Sequence, residues 1–147
     1  MISTRDRGFT LFELIASLGL FAIMMSIAIS NLKDLDDPLQ DGAAQVLSFL
    51  KKARARAISS TQAYFVSASS STQIITEAGL NCSDAAPVAD PLLVLDLPSS
   101  VSMTDTAWSF CFSSRGLADS NISIPLIDTD GYSKTIEVLL GGAARIQ

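Results

Sequence analysis

The chain has no histidine among its 147 residues. That removes Ser-His-Asp and Cys-His catalysis and every His-ligated metal site. Cysteine is nearly as scarce. Cys82 and Cys111 are too few and too far apart for a zinc site. They leave two readings open: one disulfide, as an oxidising compartment would favour, or two separate buried thiols. On the loop-closure model a bridge over a loop of that size is worth about 3–4 kcal/mol. Positive charge is also in short supply. Ten Lys and Arg face fifteen Asp and Glu, a net charge of −5, so no overall field draws the chain toward nucleic acid. There is no internal repeat and no low-complexity tract beyond a serine run at Ser69-Ser70-Ser71. Asp128 and Asp130 are the candidate catalytic carboxylates, but they flank a turn beside Gly131, and ordinary turn chemistry explains them. No nucleophile motif accompanies them. The expectation is a chain that is not an enzyme and takes no cofactor or metal.

Charge is missing altogether from one stretch. From Leu14 to Ile29 no residue is charged, and only Ser17, Gly19 and Ser26 interrupt the apolar run. Counted from Phe9 to Leu32, the run is long enough to cross a bilayer as a helix, which takes about 20 residues. Arg5 and Arg7 lie before it and Lys33 after it, a weak bias toward a cytoplasmic N-terminus. Glu13 is the anomaly. A carboxylate at the middle of a membrane helix costs roughly 2.5–3.5 kcal/mol, and less near an end. Near an end it can reach the headgroups; deeper in, it requires a partner. Arg5 and Arg7 before an apolar core also fit an ordinary secretory signal, with Ala28-Ile29-Ser30 as a small-x-small cleavage site and a mature chain starting at Asn31. Glu13 and the length of the run argue against that alternative.

Gly8-Phe9-Thr10-Leu11-Phe12-Glu13 resembles the class III signal of type IV pilins and type II secretion pseudopilins. The resemblance implies a leader of residues 1–8, cleavage by a prepilin peptidase between Gly8 and Phe9, and N-methylation of Phe9. It makes Glu13 the family's assembly glutamate. It also implies an assembly helix at 9–32, a single pass through the bacterial inner membrane, and a periplasmic head. The implied partners are other pilins or pseudopilins along that helix, the prepilin peptidase, and an inner-membrane assembly platform. Physical chemistry agrees on Glu13. Cleavage would create an amine at Phe9, and a carboxylate in a helix bundle can pair with the amine of a neighbouring subunit only when the two are in register.

Past the apolar run, Asp34, Asp36 and Asp37 lead into Pro38, where a helix must kink or restart. Asp37 suits an N-cap and Pro38 a first helical position. Leu39, Ala43, Val46, Leu50, Ala53 and Ala57 recur at helical spacing, widened by Leu47 and Ile58, so residues 33–60 form the amphipathic half of the N-terminal helix. Lys51, Lys52, Arg54 and Arg56 scatter around that helix, as solvated charges near its C-terminal end. From residue 61 to 147 the pattern predicts an antiparallel β-sheet head. The expected strands are Ala63–Ala68, Gln73–Glu77, Leu92–Leu97, Trp108–Ser113, Asn121–Asp128, Thr135–Leu140 and Ala143–Gln147, with a loop over Gly79–Pro91. Pro125 implies an edge strand or a bulge. The fold class is α+β: a long N-terminal helix packed on a C-terminal antiparallel sheet.

Phe112-Ser113-Ser114-Arg115-Gly116, Asp130-Gly131, Ile136-Glu137-Val138 and Gly141 to Ile146 resemble the GspH/FimT group of minor pilins and pseudopilins. That resemblance implies a subunit that helps initiate or cap a type IV pilus or a type II secretion pseudopilus. Some FimT-type members bind DNA during uptake through C-terminal arginines. Here the candidates are Arg145, Lys134 and Arg115, a thin set for phosphate affinity, so a DNA-binding role stands as the alternative.

Overall fold

The computed structural model describes residues 10–32 and 37–147, and the side chains of the first helix as far as Ser26. Gly8, Phe9, the leader and residues 33–36 lie outside the described residues. The chain divides into two units, with the boundary between Asp37 and Pro38.

The first unit is helix α1, Leu11–Leu32. Thr10 caps it, and the chain's Leu14 N–H closes the first turn on the Thr10 carbonyl at 3.2 Å. Within α1 the two hydroxyls that interrupt the apolar run turn back on the helix. Ser17 Oγ donates to the Leu14 carbonyl at 2.9 Å, and Ser26 Oγ to that of Ile23 at 2.8 Å. A helix that satisfies its own polar groups can present apolar side chains all round.

The second unit, the head, is built on helix α2, Pro38–Ser60. It starts at the proline, whose fixed φ suits a first helical position. Its buried face is Leu39, Gly42, Ala43, Val46, Phe49, Leu50, Ala53 and Ala57. Gly42 allows close approach to strand β5: a Cβ there would meet Val101 at 3.1 Å. Two antiparallel sheets lie against α2. The first is ordered β3 (Val88–Ala89), β2 (Gln73–Gly79), β1 (Ala63–Ser70), β6 (Ser109–Phe112), with β4 (Leu95–Asp96) also pairing β2. The second is ordered β5 (Val101–Met103), β7 (Ile122–Asp128), β8 (Ser133–Val138), β9 (Ala144–Ile146). The inward alternation of each strand supplies the core. Tyr64, Val66, Ile74, Phe110 and Phe112 come from the first sheet, and Val101, Met103, Ile124, Leu126, Ile136 and Val138 from the second. Phe110 and Phe112 meet edge to face, with ring centres 5.0 Å apart. Thr76 is the one polar residue among the buried side chains described, and its hydroxyl donates to the Leu93 carbonyl at 2.9 Å.

The α+β class therefore stands, with several corrections in detail. There are two sheets in place of one, because β5 leaves the first sheet's neighbourhood and pairs with β7, far along the chain (Val101 opposite Asp128 at the strand's start). The apolar run Leu92–Leu97 contributes only Leu95–Asp96 to a strand. Asp90 diverts the chain first: its carboxylate accepts from the Leu92 N–H at 3.0 Å and its carbonyl from the Leu93 N–H at 3.1 Å. The expected loop contains the short β3, and β5 arises where no strand was expected. Pro125 sits in an inner strand, not at an edge and not in a bulge. Its missing N–H faces the side where β5 has ended, and its carbonyl accepts from Thr104 N–H at 3.1 Å, the last rung there.

Candidate functional site

Two places carry the functional candidates: the start of α1 and the outer face of the head. At the start of α1, Thr10 and Glu13 form a reciprocal cap. Glu13 Oε2 accepts from the Thr10 N–H at 3.1 Å and from the Thr10 hydroxyl at 3.0 Å, and Thr10 Oγ1 accepts from the Glu13 N–H at 3.2 Å. This capping box places the carboxylate in the first turn, where the helix dipole favours a negative charge. Both bonds to the carboxylate end on Oε2, and no described residue bonds Oε1. Beyond it Leu11, Phe12, Leu14, Ile15, Leu18, Leu20, and onward to Met25 are all exposed, Leu18 at 61%. Among the described residues no helix is long and apolar enough to cross a membrane. The part of α1 with described side chains ends at Ser26, short of the roughly 20 residues a span takes. Thr10 is a partner of Glu13 within its own helix, and threonine three residues before glutamate is the capping-box spacing that signals it in the sequence.

In the head, Cys82 and Cys111 are joined as a disulfide, Cα atoms 5.7 Å apart. Cys111 alternates with Phe110 and Phe112 in β6, so its side chain points to the face opposite their rings. The bridge therefore pins the segment after β2 to the outer face of the first sheet. Asp84 organises that segment by accepting from Leu80 N–H at 2.8 Å and from Ala86 N–H at 3.1 Å. These backbone donors, Leu80 first and Ala86 next, hold its carboxyl below the ordinary aspartate value. A second tie comes from α2. Arg56 pairs with Asp90 at 3.4 Å, and the Tyr64 hydroxyl donates to the same carboxylate oxygen at 3.3 Å. The Tyr64 hydroxyl, and after it the Asp90 charge, raise the pKa of Arg56 above its ordinary value.

Arg54 is equally committed. Its Nη2 donates to the Gly141 carbonyl at 3.1 Å. Gly142, with φ of 74°, passes so close that a Cβ there would overlap the Gly116 carbonyl oxygen and come within 2.9 Å of Arg54 Nε. Two of the four cations read as solvated charges thus hold distant turns. Their partners lie far along the chain, and no local pattern announces them.

Among the described residues no bond gathers the candidate DNA contacts into a basic patch. Arg145 is engaged by Glu137 through Nη2 at 2.7 Å and Nε at 3.0 Å. Lys134 donates to Gln40 of α2. Arg115 is exposed in the turn after β6. Asp128 closes the turn before β8, accepting from Asp130 N–H at 3.0 Å and Tyr132 N–H at 2.8 Å. Among the described residues no group of acidic or cysteine side chains could hold a metal ion.

Residues 3–29 match the prokaryotic N-terminal methylation motif, and residues 42–142 match the family described as type II transport protein GspH. No curated protein matches the chain. Among solved structures, the fold resembles the type IV minor pilin FimU of Pseudomonas aeruginosa at 18% identity and a TM-score of 0.57, covering 74% of this chain and 87% of that one. It also resembles the minor pseudopilin EpsH from the type 2 secretion system of Vibrio cholerae at 13% identity and a TM-score of 0.58, covering 76% of this chain and 97% of that one. At those identities the two structures speak for the fold, while the GspH match, which takes in more than half of the sequence, speaks for descent. The chain belongs to the GspH family of type II transport proteins.

Proposed function

We propose that the chain is a structural subunit, a minor pilin or pseudopilin that helps initiate or cap a type IV pilus or a type II secretion pseudopilus. In this reading a prepilin peptidase cuts between Gly8 and Phe9, Phe9 becomes the methylated N-terminus, and the apolar helix holds the subunit in the inner membrane with its head in the periplasm until assembly. The observation that carries the reading is Glu13, capped by Thr10 at the start of an exposed apolar helix, with both cap bonds on Oε2 and none from a described residue on Oε1. A neighbouring subunit's Phe9 amine can bond that oxygen without breaking the cap, so one carboxylate serves both its own helix and the contact. The match to the methylation motif and the Cys82–Cys111 bridge, suited to an oxidising compartment, support the same reading.

The alternative, a DNA-binding minor pilin acting in DNA uptake, gains no support from Arg145, Lys134 and Arg115, which no bond gathers into a basic patch, and the acidic Glu137 beside Arg145 would repel a phosphate backbone. The test is the intact mass and N-terminal residue of the protein from cells that contain the peptidase. A chain beginning at methylated Phe9 is expected. A chain beginning at Asn31 would overturn the proposal.

A further inference from the structure

A sheet edge exposes unpaired N–H and C=O groups, and folded proteins cover, shorten or charge such edges. In the head nearly every edge is covered. The outer side of β2 is met by β3 and β4, and between them Asp90 N–H bonds the Thr76 carbonyl at 2.9 Å. The outer side of β6 is closed by a bridge from Phe112 to Ala118 and by Asp119, whose N–H bonds the Cys111 carbonyl at 3.1 Å and whose carboxylate accepts the Cys111 N–H at 3.0 Å. The outward N–H groups of β5 go to Pro98, from Val101 at 2.9 Å, and to Ser71, from Met103 at 2.7 Å.

β3 and β4, two residues each, are too short to template a partner, and among the longer described strands β9 is the exception. Its inner side is fully paired with β8: Leu139 N–H bonds Ala143 at 2.9 Å, and Thr135 and Gln147 exchange bonds at 3.4 and 2.8 Å. Antiparallel alternation then turns the N–H and C=O of Ala144 and Ile146 to the outer side. No bond from another described residue meets them there. The side chains of Ala144 and Ile146 pack against the core, while Arg145 lies on the opposite face beside Glu137.

We propose that β9 is a docking edge that accepts an extended strand from a different protein chain, with apolar residues flanking a carboxylate. The apolar residues would pair with Ala144 and Ile146 and continue the core-facing row. The carboxylate would lie opposite Arg145 and extend the charge ladder that Glu137 begins. A second copy of this chain fits poorly. Antiparallel self-pairing that uses the outward groups of both Ala144 and Ile146 centres on Arg145, setting two arginines directly opposite, which is unfavourable. Moving the centre to Ala144 would bring Gly142 opposite Ile146, and Gly142 has the left-handed φ of a turn. The inference concerns the head alone and does not depend on entry into a fibre.

The test is amide hydrogen exchange on the full chain in detergent, resolved by residue. The probe is a short capped peptide of alternating threonine and valine with one central glutamate. In the free protein the Ala144 and Ile146 amides should exchange at least tenfold faster than those of Arg145 and Gln147. Saturating peptide should slow the first two at least tenfold, and the same peptide with central lysine should bind several-fold more weakly. Ile146→Pro removes an outward N–H together with a half-buried side chain, and Ile146→Ala removes the side chain alone; the first should abolish the protection at Ala144 and the second should keep it, with the head still melting cooperatively in both. Ala144 and Ile146 amides already slow in the free chain, no slowing with peptide, equal slowing by duplex DNA, or a homodimer that Ile146→Pro dissolves would each overturn the proposal.

Discussion

α1 and α2 are helices of similar length, 22 and 23 residues, with opposite surfaces. α2 confines its apolar residues to one stripe, buries that stripe against two sheets, and directs its cations outward or onto distant turns. As far as Ser26, α1 is apolar on every side past Glu13, bonds the hydroxyls of Ser17 and Ser26 to its own backbone, and leaves its large side chains exposed. A helix of the first kind builds a domain; one of the second kind requires surroundings that its own chain does not supply. The largest test of this contrast places one carboxylate in each helix. Leu50→Asp buries an unpaired charge at a site 1% exposed and should cost several kcal/mol, enough to unfold the head in a urea titration. Leu18→Asp should leave the head's urea midpoint unchanged and abolish membrane retention or incorporation into fibres.

Removal of the bridge is next in size. Cys82→Ala with Cys111→Ala should lower head stability by about 3–4 kcal/mol on the loop-closure model, since the bridge spans 29 residues. The urea midpoint of the same protein under reducing conditions should fall alike, while α1 helicity stays the same. Thr10→Ala is a smaller change confined to the other unit. Loss of an N-cap costs about 1 kcal/mol, so the first turn of α1 should fray by amide exchange with the head untouched. Glu13→Ala should add a loss of incorporation to that fraying, and normal incorporation would break the assignment of Glu13 to assembly.

The smallest expected effect is an acid response of the segment around Cys82. Asp84 has a folded pKa below its unfolded one, so its contribution is complete above the ordinary carboxylate range and is lost as pH falls through the folded value. The Leu80 and Ala86 amides should lose their protection relative to neighbouring loop amides over that interval, and Asp84→Asn should remove the pH dependence.

Features written in local periodicity were legible in the sequence. The stripe of α2 shows because helical spacing repeats within a few residues, although Phe49 and Gly42 join it and Ile58 stays half exposed. The β7–β8 hairpin shows because Asp130-Gly131 lies between alternating runs. The division into two sheets did not show, because pairing of β1 with β6 and of β5 with β7 depends on residues far apart in the chain. The same holds for Arg54 and Arg56, whose roles appear only when Gly141 and Asp90 come into reach. At the start of α1 the glutamate was legible through its motif, whereas its bond to Thr10 required the helix to be in place.

The bond from Arg54 to Gly141 joins residues 87 positions apart, and β8 and β9 lie against α2 from the far end of the chain. As the polypeptide is delivered from its N-terminus, α2 arrives before every strand that covers its stripe, and β8 and β9 follow the rest. Until β8 and β9 have joined β7, part of that stripe is uncovered, and a premature release would expose it to other unfinished chains. The head therefore closes on α2 in stages, β1 first and β8 with β9 after the other strands, so the part of the stripe that β8 and β9 cover stays open longest.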